Sequence, residues 1–304
     1  MDPDYIAKSA QIASVLEVSG HPKPGNVHRT QDFDDMVYED FLISGVVIGD
    51  VIRKAALRGQ NSQKTLNFSE IKLGELILEA VTETNKWVDT NTNLGIIMMM
   101  VPLAAAAGMK NDFHNIRTNF TKIMVDTTAE DAVNLYKAIA LADAGGMGKR
   151  KNLDVTSDES QIQLIENKIN MFDILKISAE WDLLAKELTT SMPVTFENGF
   201  PTFKRIQTNY STNSATVQTF LNILSQFPDT LISRKVGLKK AEEISHKARD
   251  ILNMGGILTL DGKEALKKFD RELSQNNLNP GTTADITAAS IMVALLSDYH
   301  NYMD

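Results

Sequence analysis

Cysteine is absent from the 304 residues, which excludes disulfides, thiol nucleophiles and thiolate metal sites and suits a reducing compartment. Histidine is scarce, and the five present are too scattered to give zinc-ligand spacing. Positive charge is in the minority, with 31 Lys and Arg against 39 Asp and Glu. The resulting formal net charge of −8 opposes the counterion release that drives polynucleotide binding. The most apolar run, Leu94 to Met109, is broken by Pro102 and Gly108 and is short for a membrane span, and no charged-then-apolar leader opens the chain. The expectation is a soluble, cytoplasmic protein with neither a polynucleotide nor a membrane as partner. Alternating apolar and polar runs between turn signals are also missing, which argues against sheet architectures.

What is present is helical periodicity throughout, at a length able to bury a substantial core. The expected fold is all-α, a compact multi-helix bundle forming one domain over residues 1–304, with a polar cleft formed by interhelical loops. Ile6, Ala10, Ala13 and Leu16 mark the stripe of a first helix beginning near Pro3. A second is expected from Tyr38 to Arg58, closed by Gly59, and a third is capped by Ser69. Leu94 to Ala107 is apolar nearly all round, as a central helix is, with Met98, Met99 and Met100 filling core space. Thr128 with Asp131 reads as a capping arrangement ahead of Ala132 to Ala142, after which Gly145, Gly146 and Gly148 break the chain. One long, bent helical pattern runs from Asp158 to Thr190. Further helices are expected at 215–226, 238–254, 263–275 and 284–299, with Asp261 capping the third of these.

Four polar segments punctuated by Gly or Pro interrupt this pattern. In the first, Glu17 to Arg29, Pro22 and Pro24 fix φ and Gly25 permits a close approach, so Lys23, His28 and Arg29 are expected to be displayed to an anion on a rigid turn. The others are Asp89-Thr90-Asn91-Thr92-Asn93-Leu94-Gly95, Asp229-Thr230-Leu231-Ile232-Ser233-Arg234 and Asn279-Pro280-Gly281-Thr282-Thr283-Ala284-Asp285. Each flanks or interrupts a helix, where free backbone N–H groups and the helix dipole hold phosphate. Glu17 ends a helix where its charge opposes the dipole, which points to a cationic or metal partner.

Taken in order, these segments resemble the triphosphoribosyl-dephospho-CoA synthase family, whose pattern reads roughly Glu-Val-Ser-x-x-Pro-Lys-Pro-Gly-Leu-Val-Asp-Arg, Thr-Asn-Thr-His-Lys-Gly and Pro-Gly-Gly-Ser-Ala-Asp. Gly145-Gly146-Met147-Gly148 and Leu153-Asp154-Val155 resemble landmarks of its middle. The resemblance implies transfer of the triphosphoribosyl unit of ATP to dephospho-CoA with release of adenine, and nucleotides as small-molecule partners. Departures mark a divergent member: His28 replaces an Asp, Asn93 and Leu94 replace a His-Lys pair, and the segment after Arg29 is shortened to Asp32-Phe33-Asp34-Asp35-Met36.

Displacing a base at an anomeric carbon develops oxocarbenium character and moves a proton from acceptor to leaving group, tasks that suit carboxylates. The candidate catalytic residues are Asp35, Asp89, Asp229 and Asp285. Of these, Asp35, Asp89 and Asp285 are also the candidate Mg²⁺ ligands, the two roles not being separable in sequence. Candidate substrate-binding residues are Lys23, Gly25, Asn26, His28, Arg29, Thr90, Asn91, Thr92, Asn93, Arg234, Gly281, Thr282 and Thr283. The same positions also admit structural duties: Asp89 and Asp229 as helix caps, Asp285 as a dipole partner, Asn91 and Asn93 as turn formers, His28 as an exposed loop residue. Two other functions stay open, a related nucleotide-dependent enzyme or N-glycosidic hydrolase and a non-catalytic nucleotide-binding protein, and so does a homo-oligomer.

Overall fold

The computed structural model describes residues 1–109, 112–142 and 158–303. The glycines at 145, 146 and 148 and the 153–155 landmark lie outside the described residues. The all-helical expectation holds: among the described residues there is no strand, and the sole bridge pairs His28 with Gln31. No helix is long and apolar enough to cross a membrane.

The chain falls into two compact units. The first comprises Met1–Ile12, Ile43–Met192 and Leu296–Asp304, and the second Ala13–Leu42 and Pro193–Leu295. Helices α1 (Pro3–Ser19), α2 (Tyr38–Val47) and α16 (Gly281–Ser297) therefore each contribute residues to both.

The first unit also contains α3 (Gly49–Thr65), α4 (Leu73–Thr84), α5 (Leu94–Met109), α6 (Ile116–Val125), α7 (Ala129–Leu141), α8 (Asp158–Glu166), α9 (Met171–Ser178), α10 (Leu183–Thr189) and α17 (Tyr299–Met303). Every residue of α5 except Gly95 is buried, as its all-round apolar character requires. It packs against α3 with the two backbones nearly touching. A Cβ on Gly59 would lie 2.0 Å from the Ala105 carbonyl oxygen, and one on Gly108 would lie 2.1 Å from that of Ala56. Gly59 is thus a packing residue inside α3 and does not close a helix.

Similar physical reasons account for the other differences from expectation. The 38–58 pattern is divided at Ile48 into α2 and α3. The Ser69 hydroxyl donates to Asn67 within a 3-10 turn and caps no helix. The 158–190 pattern is cut into three helices, with Asn170 and Asp182 capping the second and third. The Thr128–Asp131 box forms as expected, and Asp131 also accepts from Gly74 N at 2.8 Å, tying the start of α7 to α4.

The second unit contains α11 (Phe200–Gln207), α12 (Thr212–Gln226), α13 (Thr230–Val236), α14 (Leu238–Asn253) and α15 (Leu260–Gln275), together with the start of α16. A π-helical turn at Thr195–Gly199 precedes α11. Val217, Phe220, Leu221 and Leu224 of α12 form the centre of a core completed by Ile244 and Ala248 of α14 and Leu266, Phe269 and Leu273 of α15. Burying each large apolar side chain contributes about 1.5–3 kcal/mol. Thr259, whose hydroxyl accepts from Gly262 N, caps α15; Asp261, expected in that place, lies in the first turn.

Candidate functional site

The first motif loop is held from inside. The last turn of α1 exposes carbonyls without intrahelical partners, and the Lys23 ammonium folds back to donate to the Glu17 carbonyl at 2.9 Å and to the Glu17 carboxylate. The cationic partner expected for Glu17 is thus supplied by its own chain. Lys23 is 0% exposed and Glu17 2%. Burial pushes the lysine pKa down and the glutamate pKa up, and each partner opposes the other's shift; the Asp285 and Asp270 carboxylates further favour the charged lysine.

Gly25 has φ of +69°, and a Cβ there would lie 2.3 Å from the Leu278 carbonyl oxygen. Its N–H donates to Asp270 Oδ1 at 3.0 Å, while the other oxygen of that carboxylate lies 3.0 Å from His28 Nε2. His28 is 1% exposed, which corrects the expectation of an exposed loop histidine. Of the three cations expected on display, only Arg29 is exposed, and its guanidinium is held by the Ser19 carbonyl and by Asn213 Oδ1 at 3.0 Å. Asn213 also exchanges two hydrogen bonds with the backbone of His21, at 2.9 and 2.8 Å.

Two further motif loops join this one within the second unit. Asn26 Nδ2 donates to Asn279 Oδ1 at 2.9 Å. Asp229 caps α13, accepting from Leu231 N at 2.9 Å and Ile232 N at 3.1 Å through Oδ1. Its Oδ2 accepts from the backbone N and the hydroxyl of Thr283, both at 2.8 Å. The Thr230 and Thr282 hydroxyls meet at 3.1 Å. Asp229 is 0% exposed, and burial pushes its carboxyl pKa up against these four donors. With its acceptor sites filled by its own chain it acts as a strut. Asp285, on α16, and Arg234, near the end of α13, are half-buried, and Gly281 packs under Leu231.

The fourth motif lies in the first unit. Asn91 Oδ1 accepts from Leu94 N at 3.2 Å at the start of α5, and the Thr92 hydroxyl bonds that of Ser44 at 2.5 Å. Asn93 Nδ2 reaches the Ser44 carbonyl and the Thr84 hydroxyl, each at 3.4 Å. Asp89 is exposed and Thr90 half-buried. A cavity of about 310 Å³ in this unit, lined by Val133, Gln161, Ile162, Ile165 and Glu166, includes none of the motif residues.

Asp35 and Asp89 are both exposed, and no group of three or more His, Asp or Glu side chains converges among the described residues.

The sequence model of a family described as ATP:dephospho-CoA triphosphoribosyl transferase matches residues 3–303. The chain belongs to that family. A 2-(5''-triphosphoribosyl)-3'-dephosphocoenzyme-A synthase of Escherichia fergusonii is 37% identical over 91 residues, 30% of this chain and 30% of that protein. The Klebsiella pneumoniae synthase is 34% identical over 91 residues, again 30% of each chain. The chain thus spans about a third of the length of the curated relatives it matches. The crystal structure of a candidate triphosphoribosyl-dephospho-CoA synthase from Archaeoglobus fulgidus superposes with a TM-score of 0.60 at 24% identity, covering 79% of this chain and 97% of that one, so the fold is shared.

Of the residues that hold the first motif loop, sequence reasoning missed Asp270, Asn213 and His21. Asp270 had a readable signal: it lies on the apolar stripe of α15 with Leu266, Phe269 and Leu273, where an unpaired acid is costly. Asn213 had none, since it stands in an ordinary helix start.

Proposed function

We propose that this protein is a transferase that moves the triphosphoribosyl unit of MgATP to a ribose hydroxyl of dephospho-CoA and releases adenine. The observation that carries the reading is the joining of three motif loops in the second unit by the Asn26–Asn279 and Asp229–Thr283 hydrogen bonds. Loops far apart in sequence share one polar framework, as the family match over residues 3–303 leads one to expect of a reaction site.

In this reading Arg29 and Arg234 bear on phosphate, and Asp285 supplies the negative charge that stabilises the oxocarbenium centre. Lys23, Gly25, Asn26, His28, Gly281, Thr282 and Thr283 shape the substrate loop. Asp89, Thr90, Asn91, Thr92 and Asn93 form a substrate-contact segment of the first unit, and Asp35 is the least constrained of the acids. Mg²⁺ enters as part of the nucleotide substrate, with no residue of the chain assigned to it. Residues 1–304 act as one functional domain, and the lack of cysteine supports a cytoplasmic location.

Titrating the protein with MgATP by calorimetry tests the phosphate assignment. The Arg29→Ala and Arg234→Ala variants are expected to bind about 10-fold or more weakly while staying folded. Unchanged affinity in both removes them from the site.

One observation favours a second reading. Asn93 and Leu94, where the family pattern has His and Lys, are both buried and carry no titratable group. Such a change is consistent with a different acceptor, or with water as acceptor.

A further inference from the structure

Around His21 the second unit assembles a chain of proton-carrying groups that runs from the first motif loop to Asp270 of α15. A carboxylate only accepts, so the 3.0 Å contact between Asp270 Oδ2 and His28 Nε2 puts the His28 proton on Nε2 and leaves its Nδ1 as an acceptor. Around that Nδ1 lie Thr30 N at 3.4 Å, the Thr30 hydroxyl at 3.3 Å and His21 Nδ1 at 3.4 Å. The Thr30 hydroxyl also lies 3.1 Å from His21 Nδ1. Two bare Nδ1 lone pairs facing each other would repel. The arrangement therefore favours a proton on His21 Nδ1, donated to His28 or to Thr30, and leaves His21 Nε2 bare. The two rings stack at a tilt, with centroids 4.8 Å apart. Asn213 fixes the His21 backbone from both sides, so the ring is anchored at its main chain and at Nδ1. The ring is half-buried and remains reachable.

We propose that His21 is the general base of this site, with Asp270 and His28 as positioning residues that set its tautomer. The inference rests on the transferase reading. The acceptor O–H gives its proton to His21 Nε2 as the oxygen bonds the anomeric carbon. The carbon–nitrogen bond to adenine breaks with its electron pair on the base, and the proton passes from His21 to the departing adenine. No oxidant or further reactant is needed.

The environment suits this role. Burial, followed by His28, pushes the His21 pKa below 6.5, with Asp270 opposing and Arg29 and Lys267 reinforcing the shift. The charged and titratable groups bearing on the ring are thus Asp270 and Lys267 of α15 and His28 and Arg29 of its own loop, and they leave it neutral near pH 7. Asp270, in turn, holds both Gly25 N and His28, so one carboxylate couples the shape of the loop to the tautomer of the base.

The test combines adenine release across pH with imidazole ¹⁵N NMR of the full chain. His21→Gln is expected to lower kcat at least about 100-fold, with KM for ATP within about 2-fold, and to abolish the acid limb of the profile. His28→Gln, whose amide can still donate to Asp270 and accept from His21, is expected to retain the fold and to shift that limb while losing less activity. In wild-type protein His21 should appear as the Nδ1–H tautomer, and Asp270→Asn should disturb it. A His21→Gln enzyme with near-wild-type kcat, or His21 found as the Nε2–H tautomer, overturns the proposal. If the wild-type protein releases no adenine, the transferase reading fails on its own, while the imidazole spectrum still decides the tautomer.

Discussion

Replacing Asp229 by Asn changes one atom and should loosen two loops at once. The carboxylate accepts four hydrogen bonds, two from the first turn of α13 and two from Thr283, and is 0% exposed. An amide has one acceptor oxygen and one donor nitrogen. Whichever way it turns, one pair of donors faces an N–H. Hydrogen bonds to a charged acceptor contribute about 1.5–3 kcal/mol each, so losing two costs about 3–6 kcal/mol. Part of this is returned because a neutral amide is cheaper to bury than the carboxylate, whose pKa burial already pushes up. The expected net loss is about 2–4 kcal/mol, read as a lower urea midpoint at unchanged slope. Thr283→Val removes only the hydroxyl donor and should cost about 1 kcal/mol, with a smaller cost in the Asp229→Asn background because the two share a partner. A loss below about 1 kcal/mol for Asp229→Asn, with turnover abolished, would refute the strut assignment and return Asp229 to the catalytic aspartates.

Other consequences follow from the same loop. Lys23→Met leaves the Glu17 carboxylate buried without its partner and should cost about 3–5 kcal/mol, whereas Glu17→Gln combined with Lys23→Met should recover much of it; denaturant midpoints of the single and double variants decide this. Gly25→Ala, at a φ of +69° with a carbonyl 2.3 Å from the new Cβ, should lower the melting temperature and cost more than about 2 kcal/mol, and a variant as stable as wild type contradicts the described turn. The depressed His21 pKa means that the unfolded chain binds that proton more tightly than the folded one, so this residue's contribution to stability falls as pH drops through the window below 6.5. His21→Gln should flatten the pH dependence of the denaturation midpoint in that window, and an unchanged slope removes the linkage.

How legible the sequence was depended on whether a feature is local. The Thr128–Asp131 box, the all-round burial of α5 and the capping role open to Asp229 each follow from neighbours within a few residues, and each is found. Gly59 reads as a helix stop because only the folded pair of helices reveals the Ala105 carbonyl against it. Lys23 and His28 read as displayed cations because their partners' roles are set by the fold: Glu17 lies six residues back, inside α1, and Asp270 lies 242 residues beyond His28. The family pattern marked the three loops that hydrogen bonds join within the second unit. Asp270 and Asn213, which hold the first of these loops in place, stand in helices that no motif distinguishes.

The central claim is tested most directly by incubating the pure protein with MgATP and dephospho-CoA and measuring free adenine and the mass of the coupled product, with Asp285→Asn in parallel. Wild-type protein is expected to yield adenine and triphosphoribosyl-dephospho-CoA in equal amounts. Asp285→Asn should lose turnover by far more than it loses ATP affinity, since the amide keeps the volume and removes the charge. Adenine without coupled product contradicts the transferase account in favour of hydrolysis, and neither product despite intact ATP binding contradicts catalysis of this reaction altogether.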